Sequence, residues 1–239
     1  YTLSLHDALP ICPIFESDSN HRYDTADYRR IDPMLGTEED FRTLCREARC
    51  RGIRVMLDGV FNHTGNNSRY FNAQGFYPEL GAAQSQESPY YSWYSFHPWP
   101  DDYDAWWGIK TLPAVQESTD SYRRFIIRDH DSVVRHWLRQ GASGWRLDVA
   151  DELPDDFIAE IRDAMEQENP DSFLLGEVWE DGSNKVAYSQ RRRYLLGSET
   201  HGLMNYPFRT AALDWLRGGD ASCFRDTMET IREHYPRPA

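Results

Sequence analysis

Three short apolar runs, each closed by a carboxylate, constrain the fold of this chain more than any other feature. The runs end at Asp58, Asp148 and Glu177, and helical patterns lie between them. Strands that alternate with helices are typical of a parallel sheet. In a (β/α)8 barrel, functional side chains stand at the carboxyl ends of the strands. The three carboxylates therefore favour a barrel over a doubly wound sheet.

Periodicity and end signals place the helices. The pattern predicts a helix over 37–51, capped by Thr37 and ended by Gly52. A long or broken helix is predicted from Thr119 onward, and another opens at Pro154. These segments supply the crossovers that a parallel sheet requires.

One long stretch interrupts this alternation. Residues 62–116 are rich in Asn, Ser, Gly, Pro and aromatics and show little periodicity. A stretch of that length inside a compact domain is usually functional. We interpret it as an inserted subdomain between a first barrel part over 12–61 and a second part over 117–239.

Composition narrows the partners. The formal net charge is −13 and the pI is about 5.0, which argues against nucleic acid, because phosphate contacts need a basic face. No apolar run is long enough to span a membrane. No signal peptide is visible, which favours the cytoplasm, although we expect the true N-terminus to be missing. The four cysteines show no metal-ligand spacing.

Asp148 and Glu177 form the candidate catalytic pair, because glycosidic cleavage needs two carboxylates in one pocket. Arg146 lies two positions before Asp148 and faces the same side of a strand, so we expect it to lower the pKa of Asp148 and keep it ionised. Glu177 stands in an apolar, aromatic setting, which predicts a raised pKa suited to a general acid. The alternative for Arg146 and Asp148 is a buried structural ion pair, and the alternative for Glu177 is a surface glutamate at a strand end.

The segment that follows the earlier strand, residues 58–63, adds polar groups. Asp58 could hold Arg146, and His63 could donate a hydrogen bond to a substrate hydroxyl, although a lone histidine in a loop is more often structural. A metal-dependent hydrolase built from Asp58, His63 and Asp148 is another reading. The lack of a paired His or Cys ligand motif argues against it.

Four motifs together resemble the α-amylase family of glycoside hydrolases. The first three occur in family order and at compatible spacing, and the fourth resembles the segment after the second strand in the neopullulanase, cyclomaltodextrinase and maltogenic amylase branch. They are DGVFNH at 58–63, GWRLDVAD at 144–151, GEVW at 176–179 and NHRYDTADY at 20–28. The resemblance covers about 12–235. It implies a (β/α)8 TIM barrel, incomplete here with about strands 2–6, and makes 62–116 the domain B inserted after strand 3.

The resemblance also implies chemistry. A retaining mechanism on α-glucans would use Asp148 as nucleophile and Glu177 as acid/base. The residues that match substrate-binding or pocket positions are Tyr23, Asp58, His63 and Arg146. The branch favours maltodextrins, cyclodextrins or pullulan, by hydrolysis or transglycosylation, and the parent protein is expected to dimerise as some relatives do. No cofactor is required, but some relatives bind calcium near domain B, and Asn62 matches one such ligand.

Two departures from the family stand out. Nothing after Glu177 matches the third essential carboxylate, an Asp on the seventh strand, so this third catalytic Asp is absent and we expect the 239-residue chain itself to be inactive. Residues 1–11 do not resemble the family, and we expect them to be a non-native leader outside the fold. The alternative function is a non-catalytic amylase-like barrel, such as a transporter heavy-chain ectodomain or binding module, although both catalytic acids are kept.

Overall fold

The computed structural model describes residues 8–11, 13–187 and 189–236. The strands are β1 (Ala8–Ile11), β2 (Phe15–Ser17), β3 (Thr25–Ile31), β4 (Arg54–Gly59), β5 (Gly144–Leu147), β6 (Phe173–Gly176), β7 (Val186–Ala187), β8 (Gln190–Arg191) and β9 (Gly202–Leu203). The helices are α1 (Glu38–Cys50), α2 (Asp120–Arg123), α3 (Val133–Arg139), α4 (Asp155–Glu168), α5 (Tyr206–Leu216) and α6 (Ala221–His234). Within these residues, no helix is both long and apolar enough to cross a membrane.

The main sheet contains five strands in the order β1-β4-β5-β6-β9, and each neighbouring pair is parallel. The crossovers between consecutive strands of this sheet carry α1, then the long insert with α2 and α3, then α4. This is the parallel α/β arrangement of an incomplete (β/α)8 barrel, which confirms the predicted fold class. All the carboxyl ends of a parallel sheet meet at one edge, and that edge carries the candidate site.

β1 is part of the main sheet, so excluding residues 1–11 from the fold was wrong for part of that stretch. β1 pairs with β4 from Ala8 opposite Arg54 to Ile11 opposite Leu57. Ladder pairing uses backbone groups, which a comparison of side-chain motifs overlooks. Residues 1–7 lie outside the described residues, and a non-native origin of the leader stays a prediction.

The helices follow the predicted signals. Thr37 caps α1 with a capping box to Asp40, and α1 buries Phe41 and Cys45. The helix expected after Thr119 is broken: α2 runs into a π-helical turn, and α3 begins at Val133. The apolar face of α4 packs into the core, as its periodicity predicted; its buried residues are Phe157, Ile158, Ile161, Ala164 and Met165.

The core lies between the sheet and the helices that cover it. Trp137 of α3 and Trp145 of β5 are fully buried. The Trp137 indole N–H donates to the Tyr28 carbonyl at 2.8 Å, which satisfies its polar atom inside the core. By contrast, α5 and α6 contain no buried residue and contact each other. The packing is therefore concentrated around β4, β5 and β6.

The insert at 62–116 contains little regular secondary structure. It is described throughout, and its only helical turns are two 3-10 turns, at Tyr91–Trp93 and Trp106–Gly108. Its two ends are joined beside β4, because the Thr64 N–H donates to the Pro113 carbonyl at 3.1 Å and the Val115 N–H to the Asn62 carbonyl at 3.1 Å. This closure brings the second half of the insert over the carboxyl end of the sheet.

Candidate active site

One arginine lies at the centre of the candidate site and contacts three carboxylates. Arg146 Nη1 donates to Asp58 Oδ1 at 2.6 Å and to Asp148 Oδ1 at 2.8 Å. Its Nη2 lies 2.8 Å from Glu177 Oε1. All four side chains are buried, with 5–8% of their surface exposed. The structure thus brings together the predicted catalytic pair, the predicted arginine and the predicted pocket carboxylate.

The strand register produces this cluster. Asp58 is the direct neighbour of Arg146 across β4 and β5. The ladder continues beyond the strands, since the Asp148 N–H donates to the Gly59 carbonyl at 3.1 Å and the Glu177 N–H to the Leu147 carbonyl at 3.0 Å. Asp148 and Glu177 therefore leave their strands at the same level, whereas Asp58 lies two residues lower, level with Arg146.

The turn after Asp148 has an unusual backbone. Val149 has φ 42° and ψ 57°, a left-handed conformation that β-branched residues rarely adopt. Its N–H donates to Glu177 Oε2 at 2.9 Å, and the Ala150 N–H donates to the Glu177 carbonyl at 3.0 Å. Strained backbone of this kind concentrates at functional sites. Here it turns a backbone donor toward the candidate acid/base.

The expected pKa of Asp148 was wrong in direction. Burial raises the pKa of Asp148 to about 7, and the charges of Asp58 and Glu177 act the same way, although Arg146 opposes them. Burial likewise raises the pKa of Asp58 to about 6 against the effect of Arg146. The expectation counted the arginine and missed the larger desolvation. One guanidinium cannot fully compensate three buried carboxylates.

The expected pKa of Glu177 was also wrong in direction. Burial acts to raise the pKa of Glu177, but hydrogen bonds from the Val149 N–H and the Trp179 side chain, with the charge of Arg146, hold it below the ordinary value. Tyr206 adds a further hydrogen bond from its hydroxyl to Glu177 Oε1 at 3.0 Å. Its aromatic surroundings supply donors as well as apolar surface, so the carboxylate form is stabilised.

His63 and Tyr23 lie together beside Asp58. The His63 Nε2–H donates to the Tyr23 carbonyl at 3.0 Å, and the Tyr23 hydroxyl lies 3.3 Å from Asp58 Oδ2. Burial lowers the pKa of His63 to about 4, so the ring is neutral at neutral pH. Because a carbonyl only accepts, Nε2 carries the proton and buried Nδ1 is an acceptor without a protein partner among the described residues. The sugar contact expected of His63 stays a prediction.

These groups line one cavity of about 610 Å³. Its walls include Tyr23, His63, Arg146, Asp148 and Glu177, together with the indoles of Trp106 and Trp179. A larger cavity of about 1030 Å³ shares Trp106 and reaches Asn62 and Glu152, but neither member of the catalytic pair lines it. The smaller cavity is therefore the one that can hold a reacting bond.

Asn62 has a structural partner at the nucleophile. Its Nδ2 donates to the Asp148 carbonyl at 3.1 Å, while its buried Oδ1 has no protein partner among the described residues. The part of the chain that the structure describes contains no group of three or more His, Cys, Asp or Glu side chains arranged to hold a metal ion. A calcium-binding role of Asn62 stays a prediction, and we assign no chemical step to calcium.

Three side chains at this site are not among the catalytic and substrate-binding residues that the sequence predicted. Tyr206 reaches Glu177 from the first turn of α5, and Trp106 and Trp179 line the cavity. Tyr206 could have been found from its position just after β9, since residues beyond strand ends face the same edge of the sheet. Trp106 comes from a segment without periodicity, so no pattern in the sequence aims its side chain.

Comparison with known proteins agrees with this geometry. The family model described as "Alpha amylase, catalytic domain" matches residues 5–235. An amylopullulanase of Thermoanaerobacterium saccharolyticum is 39% identical over 257 residues, covering 95% of this chain and 19% of that protein. A cyclomaltodextrinase of Geobacillus thermopakistaniensis (strain MAS1) is 34% identical over 236 residues, covering 95% of this chain and 37% of that protein. The chain thus spans less than half the length of these relatives.

Solved structures match over nearly the whole chain. The ligand-free cyclic alpha-maltosyl-(1→6)-maltose hydrolase of Arthrobacter globiformis superposes with a TM-score of 0.81 at 32% identity, covering 96% of this chain and 50% of that one. An acarbose-soaked debranching enzyme of Nostoc punctiforme gives a TM-score of 0.81 at 30% identity, covering 96% and 51%. This chain is therefore similar to both proteins in sequence as well as in fold.

Proposed function

The chain belongs to the alpha-amylase family, and on that premise we propose that the protein containing it cleaves α-glucosidic bonds with retention of configuration. The observation that carries the proposal is the single guanidinium of Arg146, which touches Asp148 and Glu177 within one cavity. Retaining cleavage needs two carboxylates close to one anomeric carbon. Two buried carboxylates on one arginine meet that requirement.

Asp148 is the proposed nucleophile. Its carboxylate attacks the anomeric carbon, the bond to the glycosidic oxygen breaks, and Glu177 gives its proton to that oxygen as it leaves. A water molecule then loses a proton to Glu177 and attacks the same anomeric carbon, and the bond from that carbon to the Asp148 oxygen breaks, which releases the sugar and restores Asp148. A sugar hydroxyl in place of that water gives transglycosylation through the same intermediate.

In the ligand-free site the order of the two pKa values is the reverse of the order that the chemistry uses. The pKa of Asp148 is raised to about 7, whereas that of Glu177 is lowered. A glycosidic oxygen that accepts a hydrogen bond from Glu177 stabilises its protonated form. Substrate binding in our proposal therefore moves the proton from the Asp148 side of the cluster to Glu177.

The proposed substrates are maltodextrins, cyclodextrins and pullulan. The cavity combines the indole side chains of Trp106 and Trp179 with buried polar groups, and sugars bind well to such a mixture of aromatic surface and hydrogen-bonding groups. The names of the similar proteins, which include an amylopullulanase and a cyclomaltodextrinase, support the same substrate class.

The test is Asp148→Asn in the full-length protein. We expect kcat/KM on maltodextrin and pullulan to fall by on the order of 10⁴-fold, which corresponds to about 5 kcal/mol of transition-state stabilisation. The matched control is Asp171→Asn, because Asp171 is exposed and lies before β6, away from the cavity. Retained turnover by the Asp148 variant would overturn the assignment of the nucleophile.

Two further measurements separate mechanism from family membership. A 2-deoxy-2-fluoro glycosyl fluoride should leave a covalent adduct on the peptide that contains Asp148, and proton NMR should show the α-anomer as first product. The 239-residue chain alone should show no turnover, because no third carboxylate follows Glu177 in a family-like motif. A non-catalytic binding protein would bind maltodextrin without forming the adduct.

A further inference from the structure

A second buried arginine lies outside the carboxylate cluster. Arg192 follows β8 and is 4% exposed. Its Nη1 donates to the Asp151 carbonyl at 2.8 Å, and its Nη2 donates to the Leu153 carbonyl at 2.6 Å and to the Ala150 carbonyl at 3.4 Å. One side chain therefore binds three carbonyls of the turn at 150–153, which begins two residues after Asp148.

Neighbouring groups hold this guanidinium in place. Its Nε lies 2.6 Å from Asp155 Oδ1, and its charge sits 4.7 Å from the centre of the Tyr194 ring. The Tyr194 hydroxyl donates to Asp151 Oδ1 at 2.7 Å, and Lys185 pairs with the other oxygen of Asp151. The segment around β8 thus binds the turn at 150–153 through several contacts, and Arg192 is the buried residue at their centre.

The turn at 150–153 determines the direction of the Val149 N–H. Val149 precedes it directly in the left-handed conformation, and its N–H donates to Glu177 Oε2 at 2.9 Å. A β-branched residue at positive φ costs on the order of 1–3 kcal/mol unless its surroundings hold it there. Relaxation of Val149 to negative φ would turn its N–H away from Glu177. The carbonyl contacts of Arg192 oppose that relaxation.

We propose that Arg192 is a positioning residue for Glu177: by fixing the turn at 150–153 it keeps the Val149 N–H on the Glu177 carboxylate. This inference rests on the proposed function, because it assigns Arg192 a task in the same reaction. The planar fork of an arginine can bind several carbonyls at once, whereas the ammonium of a lysine is a single point of charge. The task therefore depends on guanidinium geometry more than on positive charge.

The remaining groups around Glu177 stay unchanged when Arg192 is replaced. The charged and titratable groups facing Glu177 are Arg146, Asp148, Asp58 and Tyr206. Arg192 contacts none of them; its partners are the turn carbonyls, Asp155 and Tyr194. If replacing Arg192 changes the pKa of Glu177, the cause would therefore be the altered hydrogen bond from the Val149 N–H.

The experiment compares Arg192→Met, Arg192→Lys and Arg191→Met in the full-length protein. Arg191 is the matched control, since it is exposed and its Nη2 donates to the Ser183 carbonyl and to Asn184 Oδ1. For Arg192→Met we expect kcat to fall by about 10²-fold, the size of a 1 Å misplacement, with KM within about twofold. The alkaline limb of kcat, which reports the substrate complex in which Glu177 carries the proton, should move to higher pH, because Glu177 loses a donor to its ionised form. Arg192→Lys should be intermediate and Arg191→Met should match the wild type.

Two outcomes would overturn the proposal: wild-type kinetics in Arg192→Met, or a lower kcat with an unmoved alkaline limb, which a merely structural role would give. If Arg192→Met does not fold, Arg192→Lys gives the same comparison with the charge kept. Carboxyl-carbon NMR of Glu177 and hydrogen exchange at Val149 need no turnover. Failure of the proposed function would show as inactive wild-type protein, while an unchanged Glu177 titration in Arg192→Lys would defeat this inference alone.

Discussion

The two buried arginines bind opposite kinds of partner. Arg146 lies among the carboxylates of Asp58, Asp148 and Glu177, whereas Arg192 binds three backbone carbonyls and pairs with Asp155. Carboxylates can neutralise themselves by taking up a proton, and carbonyls cannot. The surroundings of Arg146 therefore respond to pH and charge, while those of Arg192 hold a fixed shape.

The difference indicates how the site divides its tasks. The Arg146 cluster contains more negative charge than one guanidinium balances, which is why burial raises the pKa of Asp148 and Asp58. The Arg192 cluster fixes the turn that aims a donor at Glu177, whose pKa is lowered. The Arg146 cluster therefore determines the charge around Asp148, and the Arg192 cluster determines the geometry of the turn that follows it.

The largest expected effect comes from removing the charge partner. Arg146→Met leaves three buried carboxylates without a cation, and we expect the free energy of unfolding to fall by about 3–5 kcal/mol at neutral pH. Urea unfolding of the full-length protein measures it. Arg146→Lys keeps a charge at the position and should lose less. Equal losses in both variants would show that guanidinium geometry, and not charge, dominates here too.

The next effect concerns Asp148 and pH. Its pKa is raised from 3.8 to about 7 by burial, so its contribution to stability is full below about pH 4 and is lost as the pH rises through about 7. Asp148→Asn removes this dependence. We expect the variant to gain stability relative to the wild type from pH 4 to pH 7, by on the order of 2–3 kcal/mol, and then to level off. Thermal unfolding at each pH measures the difference, and a gain that shrinks with rising pH would refute the assigned direction.

A smaller effect tests the geometric side. Val149→Gly removes the cost of a β-branched residue at positive φ, because glycine adopts that region freely. If Arg192 serves to hold this conformation, Arg192→Met should lose less kcat in the Val149→Gly background than in the wild type, by roughly tenfold, or about 1.4 kcal/mol of coupling. A double-mutant cycle measures the coupling. Additive losses would mean that the two residues act separately.

The Arg146 side of this comparison was visible in the sequence. Alternate residues of a strand face one way, and carboxyl ends of parallel strands meet, so Asp58, Arg146, Asp148 and Glu177 could be placed together before any coordinates. The direction of their pKa shifts could not, because it depends on how deeply three carboxylates are buried around one cation. Local spacing predicts neighbours and does not measure desolvation.

The Arg192 side was invisible for a different reason. Arg192 and the carbonyls it binds lie about forty positions apart in segments without periodicity, and the partners are backbone atoms that carry no side-chain signature. β1 was missed on the same ground, since its place in the sheet depends on backbone pairing. Contacts made to the backbone by irregular segments are those that sequence patterns predict least.

The smallest expected effect supplies the baseline for both buried arginines. Arg225 of α6 pairs with Asp226 at 3.0 Å, and both side chains are more than two-thirds exposed. Water and salt screen such a pair, so Arg225→Met should change the free energy of unfolding by less than about 0.5 kcal/mol. Urea unfolding beside Arg146→Met measures it under identical conditions. A loss comparable to that of Arg146→Met would mean that removing any arginine destabilises this acidic protein through its net charge. The stability loss in Arg146→Met could then not be attributed to the buried partners of Arg146.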